Sequence, residues 1–224
     1  NIWNQNNRRK LIAIDVIRAD QDNDFMPEVE IVGEIGGSLE LLASKLTPNI
    51  DSEFTSAVTD ALTQNKLTVA EGALLNGTPV HPLRVIHELQ KIITADTHIA
   101  LDVGSNYIWM NRYYGAEYAR QVLVSNGQQT LGVALPWAIA TSLIYPDKRI
   151  ISVSGDGGFL FSAMEMETAK RLGVKFIHLI WDSASYDMVS FQEAAHYAGD
   201  TAGVVLGHYD VVAYADVFGC KGYS

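Results

Sequence analysis

The stretch RIISVSGDGGFLFSAMEMETAKRLGVKFIHLIWDSAS, residues Arg149–Ser185, decides the fold of this chain. Its apolar segments Ile150–Ser154 and Phe176–Trp181 are short and rich in β-branched or aromatic residues, which is typical of strands buried on both faces. Between them Leu160–Leu172 is rich in strong helix formers and is followed by Gly173, so it predicts a helix. A strand–helix–strand unit of this kind is normally right-handed, and its two strands are parallel.

Two acidic loops follow the two strands of this unit. Asp156 comes directly after the first strand, and Asp182 comes directly after the second. Because the carboxyl ends of parallel strands lie at one edge of the sheet, where ligands of open α/β sheets bind, we expect both loops to frame one site. The glycines beside Asp156 let the backbone approach a phosphate, and the following helix supplies N–H donors. A carboxylate next to a phosphate indicates a divalent cation such as Mg²⁺.

The Gly-Asp-Gly tripeptide also occurs as an ordinary tight turn, and alone it favours that interpretation. The second acidic loop, one crossover later, favours a binding site instead.

Residues 81–224 alternate predicted helices with predicted strands, which implies an α/β domain with a parallel sheet and helices on both faces. Further strands are predicted at His98–Val103 and Gln121–Ser125. Further helices are predicted at Pro82–Ile93, Tyr107–Tyr113, Leu131–Leu143, Met188–Tyr197 and Val211–Phe218. Three strands end in glycine-bearing loops that would share one edge of the sheet: Gly104, Gly127 and Gly155–Gly158.

Residues 1–46 are interpreted as the end of another, central α/β domain. The predicted elements are the strands Lys10–Val16 and Glu30–Val32, the acidic loop Asp20–Asp24, and the helix Ser38–Leu46 with Ser38 as its cap. Residues 47–80, with a helical stretch at Glu53–Gln64, are interpreted as a surface connection between domains.

Both ends of the sequence suggest a portion of a longer protein. The chain starts at Asn1 without methionine, and Lys221–Ser224 are predicted to begin a further strand. We therefore expect the domain at 81–224 to be truncated at its carboxyl end.

Composition limits the possible functions of the chain. Its 224 residues are 48% apolar, enough for at least one full core. The net charge of -10 argues against binding to nucleic acid or to an anionic membrane surface. The single cysteine, Cys220, excludes an internal disulfide and favours a cytoplasmic location. No apolar run has the length of a membrane span.

Several motifs carry a resemblance to thiamine-diphosphate enzymes. The GDG of Gly155–Gly157 is followed, after the 24 residues Gly158–Trp181, by Asp182-Ser183, similar to the family motif in which a pair of Asn or Asp residues stands at that distance. Longer segments resemble the catabolic, FAD-independent acetolactate synthases: KLIAIDVIRAD (Lys10–Asp20), DVGSNYIWMNRYY (Asp102–Tyr114), SNGQQTLGVALPWA (Ser125–Ala138), VSGDGGFLF (Val153–Phe161) and YDMVSFQ (Tyr186–Gln192). The resemblance covers nearly the whole chain, as the end of the family's middle domain and most of its diphosphate-binding domain.

The resemblance implies a Mg²⁺ site. Asp156 matches the first metal-ligand aspartate, Ser183 matches the second side-chain ligand, and the backbone carbonyl of Ser185 matches the third ligand. Ser183 departs from the family pattern, because its neutral hydroxyl stands where an Asn or Asp is usual. A hydroxyl is a weaker Mg²⁺ ligand than a carboxylate, so Asp182 is a possible substitute.

The resemblance also implies the thiamine-diphosphate contacts. The carbonyl of Gln129 would accept from the 4′-amino group of the cofactor, and Leu131 would be the wedge that bends it. Met188, Val189 and Gln192 match the segment over the thiazolium and the bound pyruvate. The remaining cofactor-binding positions are Gly104, Ser105, Asn106, Gly155, Gly157, Gly158 and Tyr186.

Some of these positions have a plainer interpretation. Leu131 and Val189 could be ordinary core residues, and Gln192 could be a solvated polar residue of a helix. Tyr186 is interpreted as a packing residue rather than as a catalytic acid.

The implied reaction is a decarboxylative condensation of two pyruvates to 2-acetolactate and CO₂. In the family, the glutamate that protonates the aminopyrimidine lies in an amino-terminal domain of the same or a neighbouring subunit. Nothing in this sequence corresponds to it, so we expect the chain alone to be inactive and the enzyme to be a homo-oligomer.

Three alternatives stay open at this point. The chain could come from another thiamine-diphosphate enzyme, such as a 2-oxoacid decarboxylase or the FAD-dependent acetohydroxyacid synthase. It could be a non-catalytic remnant whose metal site has decayed at Ser183. It could also be a generic Mg²⁺-dependent phosphate-binding α/β protein.

Overall fold

The computed structural model describes residues 4, 8–21, 25–47 and 52–224. The chain divides into two compact units, Asn1–Val58 and Thr59–Ser224. The predicted acidic loop Asp20–Asp24 runs into residues outside the described ranges. The domain boundaries predicted after residues 46 and 80 stay predictions.

The first unit contains two parallel strands, β1 (Ile12–Asp15) and β2 (Val29–Val32), followed by helix α1 (Ile35–Lys45). The prediction that Ser38 caps this helix was wrong. Glu34 is the cap, since its carboxylate accepts hydrogen bonds from the first-turn N–H groups of Gly36 at 2.8 Å and Gly37 at 2.5 Å. A carboxylate at this end also interacts favourably with the helix dipole.

Helix α2 (Ser52–Glu71) is 20 residues long and continues well past the predicted end at Gln64. A single 3-10 turn, Gly72–Leu74, follows it. Within the second unit, Val69 of α2 is buried in the same core cluster as Ile86. This packing explains why the helix continues beyond its weakly apolar first half.

The second unit contains a parallel sheet of four strands in the order β4-β3-β5-β6. The strands are β3 (Thr97–Leu101), β4 (Val122–Val124), β5 (Arg149–Gly155) and β6 (Ile177–Trp181). The helices are α3 (Pro82–Ile92), α4 (Ser105–Tyr113), α5 (Ala134–Ile144), α6 (Asp156–Leu160), α7 (Glu165–Leu172), α8 (Asp187–His196) and α9 (Val211–Val217). The predicted α/β fold with a parallel sheet is confirmed.

Alternate residues of the strands supply two separate cores, as the two-residue period of a strand requires. One cluster joins side chains of β3 and β5 to α3 and α4: Ile99, Leu101, Ile151, Val153, Ile86, Leu89 and Met110. The other joins α5 and the α6–α7 segment, and the partly buried Ile180 of β6 packs against it: Leu135, Phe159 and Ala163. Helix α5 also packs against β3 and β5, in addition to α3 and α4 of the first cluster, so helices hold these central strands and the loops that leave their carboxyl ends.

Three predicted elements differ from the structure near that edge. Helix α5 starts at Ala134 rather than at Leu131, because Gly132 has a left-handed backbone, with φ of 79°, that a right-handed helix cannot contain. Only the second part of the helix predicted at Leu160–Leu172 is α-helical, as α7. The short helix α6 precedes it and ends at Leu160, and tighter turns, in which N–H groups bond three residues back, connect the two. Lys221–Ser224 form no strand.

None of the helices in the part of the chain that the structure describes is both long and apolar enough to cross a membrane.

Candidate active site

A cavity of about 210 Å³ lies at the carboxyl edge of the sheet. Loops from β3, β5 and β6 and the loop between β4 and α5 surround it. Fourteen of the predicted site residues line it: Gly104, Ser105, Asn106, Gln129, Leu131, Gly155, Asp156, Gly157, Gly158, Ser183, Ser185, Tyr186, Met188 and Val189. Two predicted residues are not in its lining, namely Gln192, which is exposed on α8, and Asp182.

Asp156 joins the two acidic loops. Its side chain is 3% exposed, at the first position of α6. One carboxylate oxygen accepts from the N–H of Gly157 at 2.8 Å, and the other accepts from the N–H of Ser183 at 3.3 Å. Burial raises the pKa of Asp156, and the nearby charge of Asp182 raises it further, against the lowering effect of these N–H groups. The contact between Asp156 and Ser183 shows that the crossover brings the two acidic loops together, as the sequence predicted.

The predicted second and third ligand groups are adjacent. The hydroxyl of Ser183 donates to the backbone carbonyl of Ser185 at 3.2 Å. Asp182 instead accepts from the N–H of Ala184 at 3.1 Å and lines a separate small cavity beside Tyr209. This geometry favours Ser183 over Asp182 as the side chain facing the main cavity.

Tyr209 fixes the backbone of Asp156 from the other side and was missed by the sequence analysis. Its hydroxyl donates to the Asp156 carbonyl at 2.8 Å. Burial, with the charges of Asp156 and Asp182, raises the pKa of Tyr209 to about 12, so the hydroxyl keeps its proton. It lies in the loop before α9, where no local sequence pattern points to the site.

Close packing requires glycine at two positions of the GDGG segment, Gly157 and Gly158. A Cβ on Gly157 would overlap the ring of Tyr186, and a Cβ on Gly158 would lie 2.8 Å from a carboxylate oxygen of Asp102. The N–H of Tyr186 donates to the Val204 carbonyl at 2.8 Å, which holds the ring in place. The predicted packing role of Tyr186 agrees with this contact.

The loop after β3 presents a buried acceptor beside the cavity. The Asn106 amide donates to the carbonyls of Asp102 at 3.1 Å and Val153 at 3.4 Å. Its own oxygen is buried and has no hydrogen-bond partner among the described residues. A buried acceptor of this kind is normally satisfied, so its position beside the cavity is compatible with a missing ligand or solvent donor.

Asp187, also missed by the sequence analysis, connects two of the loops. Its carboxylate accepts from the hydroxyl of Ser105 at 3.1 Å and from that of Ser185 at 2.5 Å. The loop after β3 is thereby tied to the loop after β6, 82 positions apart in the sequence for the Ser105 contact.

Comparison with known proteins identifies the family. Residues 102–224, more than half of the chain, match the family described as thiamine pyrophosphate enzyme, C-terminal TPP binding domain. The chain belongs to the thiamine pyrophosphate (thiamine diphosphate) enzymes. The resemblance predicted from the motifs is confirmed.

Full-length similarities are to acetolactate synthases. The chain is 41% identical, over 100% of its length, to 40% of the catabolic acetolactate synthase of Raoultella terrigena. It is 39% identical, over 98% of its length, to 39% of the acetolactate synthase of Bacillus subtilis. It is 27% identical, over 95% of its length, to 37% of a probable acetolactate synthase large subunit of Methanocaldococcus jannaschii. The chain thus spans about two fifths of the length of these curated relatives.

The residues present fit the cofactor of a thiamine pyrophosphate enzyme together with a metal ion. The lining described above contains the carboxylates of Asp156 and Asp187 but no Lys or Arg. No cluster of three or more His, Cys, Asp or Glu in the described ranges could hold a metal by itself. One carboxylate, one hydroxyl and one carbonyl form an oxygen set of the kind that binds Mg²⁺ when phosphate oxygens and water complete the coordination.

Proposed function

We propose that this chain forms the diphosphate- and metal-binding wall of an acetolactate synthase that condenses two pyruvates to 2-acetolactate and CO₂. The observation that carries the proposal is the meeting of Asp156, Ser183 and Ser185 at one cavity, in a chain similar over its full length to acetolactate synthases. Thiamine diphosphate, when bound, supplies the carbanion chemistry, and the protein supplies binding and electrostatics.

In this proposal the metal is held by the carboxylate of Asp156, the hydroxyl of Ser183 and the carbonyl of Ser185. The hydroxyl of Ser183 and the carbonyl of Ser185 lie within hydrogen-bond distance of each other, so both oxygens would be available to one ion. The ion is needed because a cavity lined by carboxylates and lacking Lys or Arg repels a bare diphosphate. Mg²⁺ suits this set, since it commonly binds through one or two carboxylates and substrate phosphates.

The opposite side of the cavity would receive the aromatic half of the cofactor and the substrate. The backbone carbonyl of Gln129 would accept a hydrogen bond from the aminopyrimidine. The side chain of Leu131 would support the bend between the two rings of the cofactor. Met188 and Val189, at the start of α8, provide apolar surface beside the reacting carbon. Gln192, one turn further along α8, is exposed, and its assignment rests on the resemblance alone.

Other parts of the enzyme complete the proposal. The activating glutamate would come from an amino-terminal pyrimidine-binding domain of the same or a neighbouring subunit, which implies a homo-oligomer. A cytoplasmic location suits pyruvate chemistry and a chain with a single cysteine.

Calorimetry with thiamine diphosphate tests the binding part of the proposal. We expect binding that requires Mg²⁺ and is lost in Asp156→Asn, because the carboxylate is the charged protein ligand. Asp216→Asn on α9, outside the lining residues, is the control and should bind as the unchanged chain does. A chain without Mg²⁺-dependent binding would be a non-catalytic remnant.

Product analysis tests the reaction in a protein that also carries the amino-terminal domain. Acetolactate from pyruvate is the expected product. Acetaldehyde would indicate a 2-oxoacid decarboxylase, and a flavin absorption band would indicate the FAD-dependent acetohydroxyacid synthase.

A further inference from the structure

Asp102 is a buried carboxylate behind the site. It follows β3, is 1% exposed, and is not part of the cavity lining. One oxygen accepts from the N–H of Val103 at 2.9 Å. Both oxygens accept from the N–H of Gly132, at 3.0 and 2.9 Å, across 30 positions of sequence.

The segment that Asp102 holds has little regular structure of its own. Gln129 and Gly132 both have left-handed backbones, so neither helix nor sheet hydrogen bonds can fix the residues between them. Leu131 lies between these two positions, and both Gln129 and Leu131 line the cavity. An anchor from outside the segment must therefore determine where the Gln129 carbonyl and the Leu131 side chain stand.

A second contact makes the anchor rigid. A Cβ on Gly132 would lie 2.6 Å from the Cβ of Phe161 and 3.4 Å from the Gly158 carbonyl. Asp102 itself lies against Gly158. The carboxylate is thus enclosed between the 129–132 segment and the start of α6.

We propose that Asp102 is a positioning residue that fixes the Gln129–Leu131 segment for the aminopyrimidine half of thiamine diphosphate. This inference rests on the proposed function, because it assigns the segment to that half of the cofactor. Asp102 does not touch the cofactor and acts through the backbone of Gly132.

A carboxylate, whose two oxygens both accept from the Gly132 N–H, suits this role better than an amide of the same shape. Both oxygens of Asp102 face one N–H group, so in Asp102→Asn either an N–H₂ meets that donor or only one acceptor remains. Hydrogen bonds to charged acceptors are also about twice as strong as neutral ones. The substitution therefore loosens the segment while conserving the volume of the side chain.

The test compares two ligands on the whole chain by calorimetry, each with Mg²⁺. Thiamine diphosphate carries the aminopyrimidine, and inorganic pyrophosphate does not. For Asp102→Asn we expect thiamine diphosphate to bind about tenfold more weakly, the loss of one charge-assisted hydrogen bond, with pyrophosphate within about twofold. Asp96→Asn, at the other end of β3 and paired with Lys148 on the surface, is the matched control and should change neither. Equal weakening of both ligands, or no weakening of thiamine diphosphate, would overturn the inference.

Hydrogen exchange separates this inference from the proposed function. Without any ligand, the amides of residues 127–133 should exchange at least about fivefold faster in Asp102→Asn, with β5 unchanged. If the unchanged chain binds neither ligand, the proposed function fails, yet the exchange rates still show whether Asp102 holds the segment. Unchanged rates would contradict the inference. Should Asp102→Asn not fold, Asp102→Ser, whose hydroxyl can accept one N–H, carries the same comparison.

Discussion

The hydroxyl of Ser183 occupies a position where a stronger Mg²⁺ ligand could stand. Because a carboxylate binds this ion better than a hydroxyl does, we expect Ser183→Asp to bind Mg²⁺ about tenfold more tightly in the presence of thiamine diphosphate. Titration of Mg²⁺ followed by calorimetry measures the change. Asp182→Asn is the control, since Asp182 accepts a hydrogen bond from the N–H of Ala184 outside the main cavity. The affinity of this variant for Mg²⁺ should stay within about threefold of that of the unchanged chain. If Asp182→Asn lost as much affinity as Asp156→Asn, Asp182 would be the ligand instead.

The sequence predicted individual site residues only where a motif marks them. Asp156 and Ser183 stand at the ends of two strong apolar strands, and the crossover between them determines that they meet. Asp187, Tyr209 and the role of Asp102 depend on contacts between loops far apart in the sequence. A carboxylate or a tyrosine in a loop is common, so no local pattern distinguishes these three.

The pairing of β5 with β6 contains a partly buried histidine whose charge state affects stability. His178 of β6 contacts the hydroxyls of Ser152 at 2.7 Å and Ser154 at 3.0 Å, and its ring lies on Phe159. Burial lowers the pKa of His178 from 6.5 to about 4. As the pH falls, the unfolded chain therefore binds a proton at His178 before the folded chain does. The contribution of neutral His178 to the free energy of unfolding is fully present above pH 6.5, and about 3 kcal/mol of it is lost between pH 6.5 and 4.

Denaturant unfolding between pH 7.5 and 4.5 measures this effect. His178→Gln, which stays neutral, should lose less free energy of unfolding over that range than the unchanged chain. Burial raises the pKa of Asp102 and Asp156, so these two groups give the free energy of unfolding a pH dependence of opposite sign. This effect is the same in both proteins and cancels when their pH profiles are subtracted. Parallel pH profiles for the two proteins would contradict the assignment to His178.

Strands and amphipathic helices could be predicted at the level of secondary structure, but several helix starts could not. The apolar runs of β5 and β6 and the spacing in α3 determine those elements locally. The start of α5 depends on the left-handed backbone of Gly132, and the preceding Gln129 is left-handed without being a glycine; the sequence signals neither conformation. The break between α6 and α7 follows the buried packing of Phe159 and Ala163, which is a tertiary effect.

The chain as a whole should bind the cofactor without turning over pyruvate. Under the proposed function, the glutamate that activates the aminopyrimidine and one wall of the pyruvate pocket would come from an amino-terminal domain outside these residues. We expect no acetolactate above background from the 224 residues with thiamine diphosphate, Mg²⁺ and pyruvate. Calorimetry on the same sample shows that the site is loaded, so that inactivity cannot be assigned to an unfolded chain. Sustained turnover of pyruvate by this chain alone would show that the expectation is wrong.

Neither Lys nor Arg is present in the described lining of the cavity, so under the proposed function thiamine diphosphate and Mg²⁺ would bind together. An anion whose charge is balanced by a shared ion binds more weakly without that ion, so under the proposed function the occupancy of the site would depend on the concentrations of both Mg²⁺ and thiamine diphosphate. A chelator that removes Mg²⁺ would then also release thiamine diphosphate. The concentration of free Mg²⁺, and not that of thiamine diphosphate alone, would then determine the fraction of the protein that has its cofactor bound.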